Sequence, residues 1–195
     1  ARKQVIELAD HLGNEIFSSA PEALGAALDS LGAAGKSIML DPATTPDWAV
    51  QRLSGAGAAI IKKPDPCALP KACKNEVELN GIRAAHLRDG LALTRFLYWL
   101  SGLAGSEGVT ELMAVEKLAA YRVGGAYYRG PSFDTISGAA ANGAIVHYRV
   151  TLESDRVLEA GSLYLVDSGG QYLDGTTDVT RTVSIGTPTA EYRDR

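Results

Sequence analysis

Asp167-Ser168-Gly169-Gly170-Gln171-Tyr172-Leu173-Asp174-Gly175-Thr176-Thr177-Asp178-Val179-Thr180-Arg181-Thr182 is the stretch on which the reading of this sequence turns. It opens where an apolar run, Ser162-Leu163-Tyr164-Leu165-Val166, closes on Asp167. It ends in a segment, Thr177 to Ile185, whose residues alternate with the period of two that marks a half-buried strand. Gly169-Gly170 and Asp174-Gly175 supply turns between the two. One aspartate therefore ends a strand, and another, Asp178, opens the next. Carboxylates held close repel, and one resists ionisation unless a cation neutralises both. A pair of divalent metal ions meets that need, because one carboxylate can bridge both ions. The plainer reading stays open beside it. Asp is common at turns for local hydrogen-bonding reasons, and Asp174 before Gly175 is read that way. The double glycine also leaves the pairing register open, because a bulge there would shift it.

Upstream of the strands the period is helical. A long helix is expected from Lys74 to about Leu103. Val77, Ile82, Leu87, Leu91, Leu93, Leu97 and Leu100 form its apolar stripe, with Gly102 and Gly105 at its stop. Glu76 and Glu78 in the first turn suit the helix dipole. Thr110 is a plausible N-cap for a second helix through Leu112, Val115, Leu118 and Tyr121. After Pro131, two short extended segments are expected, Asp134–Ala139 and Ala144–Tyr148. The second carries His147. A lone histidine in an apolar strand is more often a satisfied core residue than a functional one.

The first 66 residues read as helices alternating with strands. Pro21 opens a helix over 22–31, and 36–41 is a strand. Thr45-Pro46-Asp47 starts a second helix, and 57–62 is a second strand. Such alternation suggests a parallel or mixed α/β layer. Pro64 and Pro66 then break the chain. A domain boundary is placed there, giving units of residues 1–68 and 69–195.

Composition narrows the class. The chain has 195 residues, 46% hydrophobic and 22% charged, with a formal net charge of −4. These are the proportions of an ordinary globular core. No basic stretch suggests nucleic acid as a partner, and no apolar run reaches the ~20 residues of a membrane span. Cys67 and Cys73 match no zinc spacing and make no disulfide framework, so they read as reduced thiols in a cytoplasmic protein. The chain starts without Met, and Glu191-Tyr192-Arg193-Asp194-Arg195 reads as an interrupted first helical turn. Both ends are those expected of a fragment of a longer protein.

The sixteen-residue stretch, together with NGAIVHY around His147 and PKACKNEVELNGIRAAHLRDGLAL from Pro70, resembles the pita-bread metallopeptidases. Within them the likeness is to the aminopeptidase P family. It covers residues from about 69 to 190. It implies an α/β (α+β) fold: the end of a creatinase-like α/β domain, then the first half of a pita-bread catalytic domain. It implies that Asp167 and Asp178 are two of five ligands to two divalent metal ions, manganese first, with zinc or cobalt left open. The remaining ligands, one His and two Glu, are expected beyond Arg195. By the same resemblance His147 binds substrate, near the scissile bond. The implied activity is release of the N-terminal residue from peptides with proline second, in a parent whose dimerisation the sequence does not decide. A prolidase acting on Xaa-Pro dipeptides and a metal-free peptide-binding module are the alternatives. His11 and His86 are read as surface or packing residues.

Overall fold

The computed structural model describes residues 11–13, 16–103 and 108–194. Gly105, expected at the end of the long helix, lies outside these residues, as do Ala1–Val5. The chain divides into two compact units, Ala1–Cys73 and Lys74–Arg195.

In the first unit, helix α1 (Leu24–Ala33) leads to strand β1 (Ser37–Leu40). Helix α2 (Asp47–Gly55) leads to strand β2 (Ala59–Lys62). The two strands pair in parallel, Ser37 beside Ala59 and Leu40 beside Lys62, as the alternating pattern implied. The helices approach closely because Gly32 has no side chain: a Cβ there would stand 2.4 Å from that of Ala56. Arg52 fastens them, its Nε donating to the Gly25 carbonyl at 3.0 Å and its fork gripping Asp29. A short helix, α3 (Ala68–Ala72), follows the two prolines.

In the second unit, helix α4 (Glu76–Ser101) starts at a capping box. The Asn75 side chain accepts from the Glu78 amide at 2.9 Å, and the Glu78 carboxylate accepts from the Asn75 amide at 2.8 Å. Two orphan amides of the first turn are thereby satisfied. Helix α5 (Glu111–Val123) starts at Thr110, whose hydroxyl accepts from the Met113 amide. Both helices lie against a three-stranded sheet of β4 (Ile136–Ala139), β5 (Leu163–Ser168) and β8 (Val179–Ser184). A second sheet holds β3 (Tyr128–Pro131), β6 (Gly170–Tyr172) and β7 (Gly175–Thr176). The core between helices and sheet contains Leu93, Phe96, Leu100, Leu118, Tyr164 and Val166. Phe96 exposes none of its surface, and its truncation to Ala would cost about 3–5 kcal/mol.

Three expectations need correction. The stripe assigned to α4 is right only in part: Val77, Leu87 and Leu91 are exposed. The buried face runs instead through Ala85, Asp89, Ala92, Phe96 and Leu100. Its first half is small or polar because the β6–β7 hairpin lies directly on the helix. A Cβ at Gly81 would stand 2.3 Å from the Asp174 carbonyl oxygen. Residues 144–148 are not extended either. A 3-10 turn over Ala140–Ala144 carries the chain into a bend, and His147 has a left-handed φ of 54°. Finally, Gly169-Gly170 is no tight turn. The chain runs through it from β5 straight into β6, in the other sheet.

Candidate metal and substrate site

The site begins with the pleat of β5. Tyr164, Val166 and Ser168 are buried, while Leu163, Leu165 and Asp167 alternate with them on the other face. The antiparallel register sets Asp167 opposite Thr180 and Ser168 opposite Val179. Asp178 stands one residue before β8. Carrying the register back by one places it on the face of Thr180, diagonal to Asp167. Diagonal neighbours across an antiparallel pair lie roughly 7–8 Å apart at Cα, close enough for two carboxylates to share ions between them. The face also has an apolar hollow further along the strand, about 370 Å³, lined by Gly138, Leu163, Leu165, Thr182 and Tyr192.

Asp167 shows what its surroundings withhold. Its Oδ1 is buried and has no hydrogen-bond partner among the described residues. A buried carboxylate oxygen left unpaired costs more than a neutral group in the same position, on the order of 1–3 kcal/mol and upward. A cation at that oxygen would remove the cost. Asp178 is exposed and also supplies hard oxygen donors. The two residues thus fit a divalent ion of the manganese, magnesium or calcium kind. Among the described residues, no group of three or more His, Cys, Asp or Glu side chains could hold a metal.

The turn before Asp178 is held by backbone contacts that only glycine permits. Gly169 passes so close to Thr177 that a Cβ on it would stand 1.9 Å from the Thr177 carbonyl oxygen and 2.2 Å from Ser132 Oγ. Thr177 is buried, and its Oγ1 accepts from the Gly170 amide at 2.9 Å. Ser132 Oγ donates to the Thr177 carbonyl at 2.9 Å. Asp178 follows directly from this clamped residue.

Behind the strand lies a polar core that the sequence patterns did not disclose. Arg122 and Asp89 are 2% and 3% exposed, and they form a forked pair of 2.7 and 3.1 Å. Arg122 also donates to Ser168 Oγ at 3.1 Å, and the Tyr172 hydroxyl donates to Asp89 at 2.9 Å. Burial, with the Asp89 carboxylate beside it, raises the Tyr172 phenol above its ordinary range. The residue next to Asp167 is therefore tied to both helices. Only the separation in sequence hid this: no periodicity links residues 89, 122 and 168.

His147 makes no direct bond to the aspartates. It is exposed, and no hydrogen bond or ion pair joins it to Asp167 or Asp178. His86 is exposed with its Nδ1 on the Ile82 carbonyl, and His11 is exposed too, in keeping with a surface reading of both.

Metallopeptidase family M24 matches residues 80–195, more than half of the sequence. The chain belongs to that family. Ahead of its M24 region, residues 1–78 match the creatinase/prolidase N-terminal domain. The M24 chain is 40% identical over 195 residues to a protein of Aspergillus niger named "Probable Xaa-Pro aminopeptidase P", covering 94% of this chain and 31% of that one. It is 49% identical over 129 residues to a protein of the same name from Laccaria bicolor, covering 66% and 20%. The X-prolyl aminopeptidase of Caenorhabditis elegans, a cytosolic enzyme with a di-nuclear active site, superposes with a TM-score of 0.75 at 33% identity. That match covers 88% of this chain and 28% of the other. The M24 chain thus spans under a third of each of these relatives. The expected α/β (α+β) class, a creatinase-like unit followed by the beginning of a pita-bread domain, is met. Among the described residues, no helix is long and apolar enough to cross a membrane.

Proposed function

We propose that the full-length protein carrying this segment is a metal-dependent aminopeptidase, releasing the N-terminal residue from peptides with proline in second position. The observation that carries the proposal is the unpartnered, buried Oδ1 of Asp167, on the strand paired with the one that Asp178 immediately precedes, within an M24 domain. Its relatives' names supply the substrate class.

In this reading Asp167 and Asp178 would supply two of the ligands to two divalent ions, manganese by the resemblance to the aminopeptidase P family and in keeping with hard carboxylate donors. When bound, such ions lower the pKa of a coordinated water toward neutrality and supply a nucleophile. The chain's own residues do the rest. Gly169, Thr177 and Ser132 fix where Asp178 begins, and Arg122 holds the end of β5 through Ser168. His147 donates a hydrogen bond to the substrate near the scissile bond as charge develops there, a role whose loss typically costs about 10²–10³ in rate. The cytoplasm is the proposed compartment, in keeping with Cys67 and Cys73, which are both free thiols.

The test is Asp178→Asn in the full-length protein, with metal content and turnover of an Xaa-Pro-Yaa peptide measured together. Both should fall. Normal metal occupancy and turnover would remove the ligand assignment. A length series completes it: cleavage confined to Xaa-Pro dipeptides would make the protein a prolidase instead.

A further inference from the structure

Glu111, the first residue of α5, is fully buried, with none of its surface exposed. Among the described residues, no Lys, Arg or His pairs with it. Neutral donors surround it instead. Its Oε1 accepts from the Ala139 amide at 2.6 Å and from Asn142 Nδ2 at 3.0 Å. Its Oε2 accepts from the Tyr148 hydroxyl at 2.9 Å and from the Arg156 amide at 3.2 Å. Asn142 Nδ2 also donates to the Tyr148 hydroxyl at 2.7 Å, which closes the triangle. Burial holds the Tyr148 phenol above its ordinary pKa, so this hydroxyl keeps its proton for the carboxylate.

Asn142 and Tyr148 are the two ends of one bend. Between them lie five residues, the last of which is His147. The backbone within closes tightly, the Ile145 amide on the Asn142 carbonyl and the Tyr148 amide on the Ile145 carbonyl. His147 holds a φ of 54°, a conformation that costs a non-glycine residue about 1–2 kcal/mol. Such residues persist where their surroundings over-determine them. The over-determining group here is one carboxylate, on a different element, gripping both ends of the bend.

We infer that Glu111 is a positioning residue, fixing His147 toward substrate through Asn142 and Tyr148. The inference rests on the reading of His147 given above. A misplacement of about 1 Å at a reacting group can cost as much as 10²-fold in rate. A loosened bend should therefore lower turnover without touching the ions.

The experiment uses the full-length protein and four variants: Tyr148→Phe, Glu111→Gln, His147→Ala, and His147→Ala combined with Tyr148→Phe. Tyr148→Phe removes one hydroxyl and leaves the ring, so it keeps the test open if Glu111→Gln fails to fold. Its kcat should fall about 10- to 100-fold, with KM and metal content little changed. Hydrogen exchange should quicken at residues 143–148 and not along α5. In the His147→Ala background, Tyr148→Phe should lower kcat no further. A full multiplicative loss in that background, or loss of metal in Tyr148→Phe, would overturn the positioning role while leaving the aminopeptidase reading intact. Undiminished turnover in His147→Ala would overturn the substrate role of His147, and this inference with it.

Discussion

Arg122 grips Asp89 through two nitrogens, at 2.7 and 3.1 Å, with both residues almost wholly out of water. Its second terminal contact reaches Ser168, on the strand that carries Asp167. Burying a charge is costly, so the value of this pair depends on its being complete. Arg122→Met alone strands the Asp89 carboxylate and should destabilise the unit by about 3–5 kcal/mol. Adding Asp89→Leu should restore much of that loss, because the uncompensated charge is gone. Urea denaturation of the single and double variants checks the non-additivity. A double variant as weak as the sum of the singles would mean that packing, and not charge, dominates here.

Asp167→Asn addresses the orphaned oxygen. Without metal it should leave stability unchanged or raise it by about 1 kcal/mol, since an unpaired carboxylate is replaced by a neutral amide. Manganese should raise the melting temperature of the natural protein and should not raise that of the variant, because ligand binding stabilises only the state that binds. Equal shifts in both would take the ion away from Asp167.

Gly169→Ala should be far more damaging than its size suggests. The new methyl group would meet the Thr177 carbonyl and Ser132 Oγ, and neither belongs to a flexible chain end. A shift of that turn should cost about 1–3 kcal/mol and weaken the response to manganese, since Asp178 directly follows Thr177. Calorimetric metal titration reads the second effect separately from the first.

Tyr172 gives a pH dependence with a definite sign. Burial, followed by its hydrogen bond and charge contact with Asp89, raises its folded pKa above the ordinary 10.0. The neutral phenol is the form that the fold prefers. Its contribution is therefore whole below about pH 10, where the unfolded phenol is also neutral, and is lost as pH rises toward the folded value. Tyr172→Phe should flatten the alkaline fall in stability measured by denaturant midpoints above pH 10. Tyr164, raised in the same way by its burial, should retain its share.

The legible parts of this fold are those that repeat. The alternation of Thr177–Ile185, the apolar run ending at Asp167 and the cap at Thr110 each leave a local mark, and each element stands where that mark puts it. The buried face of α4 is not legible in the sequence, because Ala85 and Asp89 add nothing to an apolar stripe. Their burial depends on a hairpin and on an arginine, Arg122, 33 residues away. The bend at His147 is hidden for a related reason. Ala144-Ile145-Val146 looks like a strand, yet its shape is imposed by Glu111, 31 and 37 residues from its two anchors. Asp167 and Asp178 stand out in the sequence as candidates because one closes a strand-like run and the other opens the next. The contacts around them do not, because contacts between distant residues leave no periodic trace.

The bond from Arg122 to Ser168 also acts as an index mark on β5. A strand whose faces differ this much could slide by one residue and still form a full ladder with its neighbours. Every side chain would then change sides. Ser168 would leave the guanidinium, and the carboxylate of Asp167 would be driven into the layer that holds Phe96 and Leu118. Such a slide is self-penalising, so the same hydrogen bond that supports the strand end also proofreads which of two adjacent residues is delivered to the open face. Errors of assembly at this strand should therefore unfold the protein before they produce a folded molecule with Asp167 turned inward.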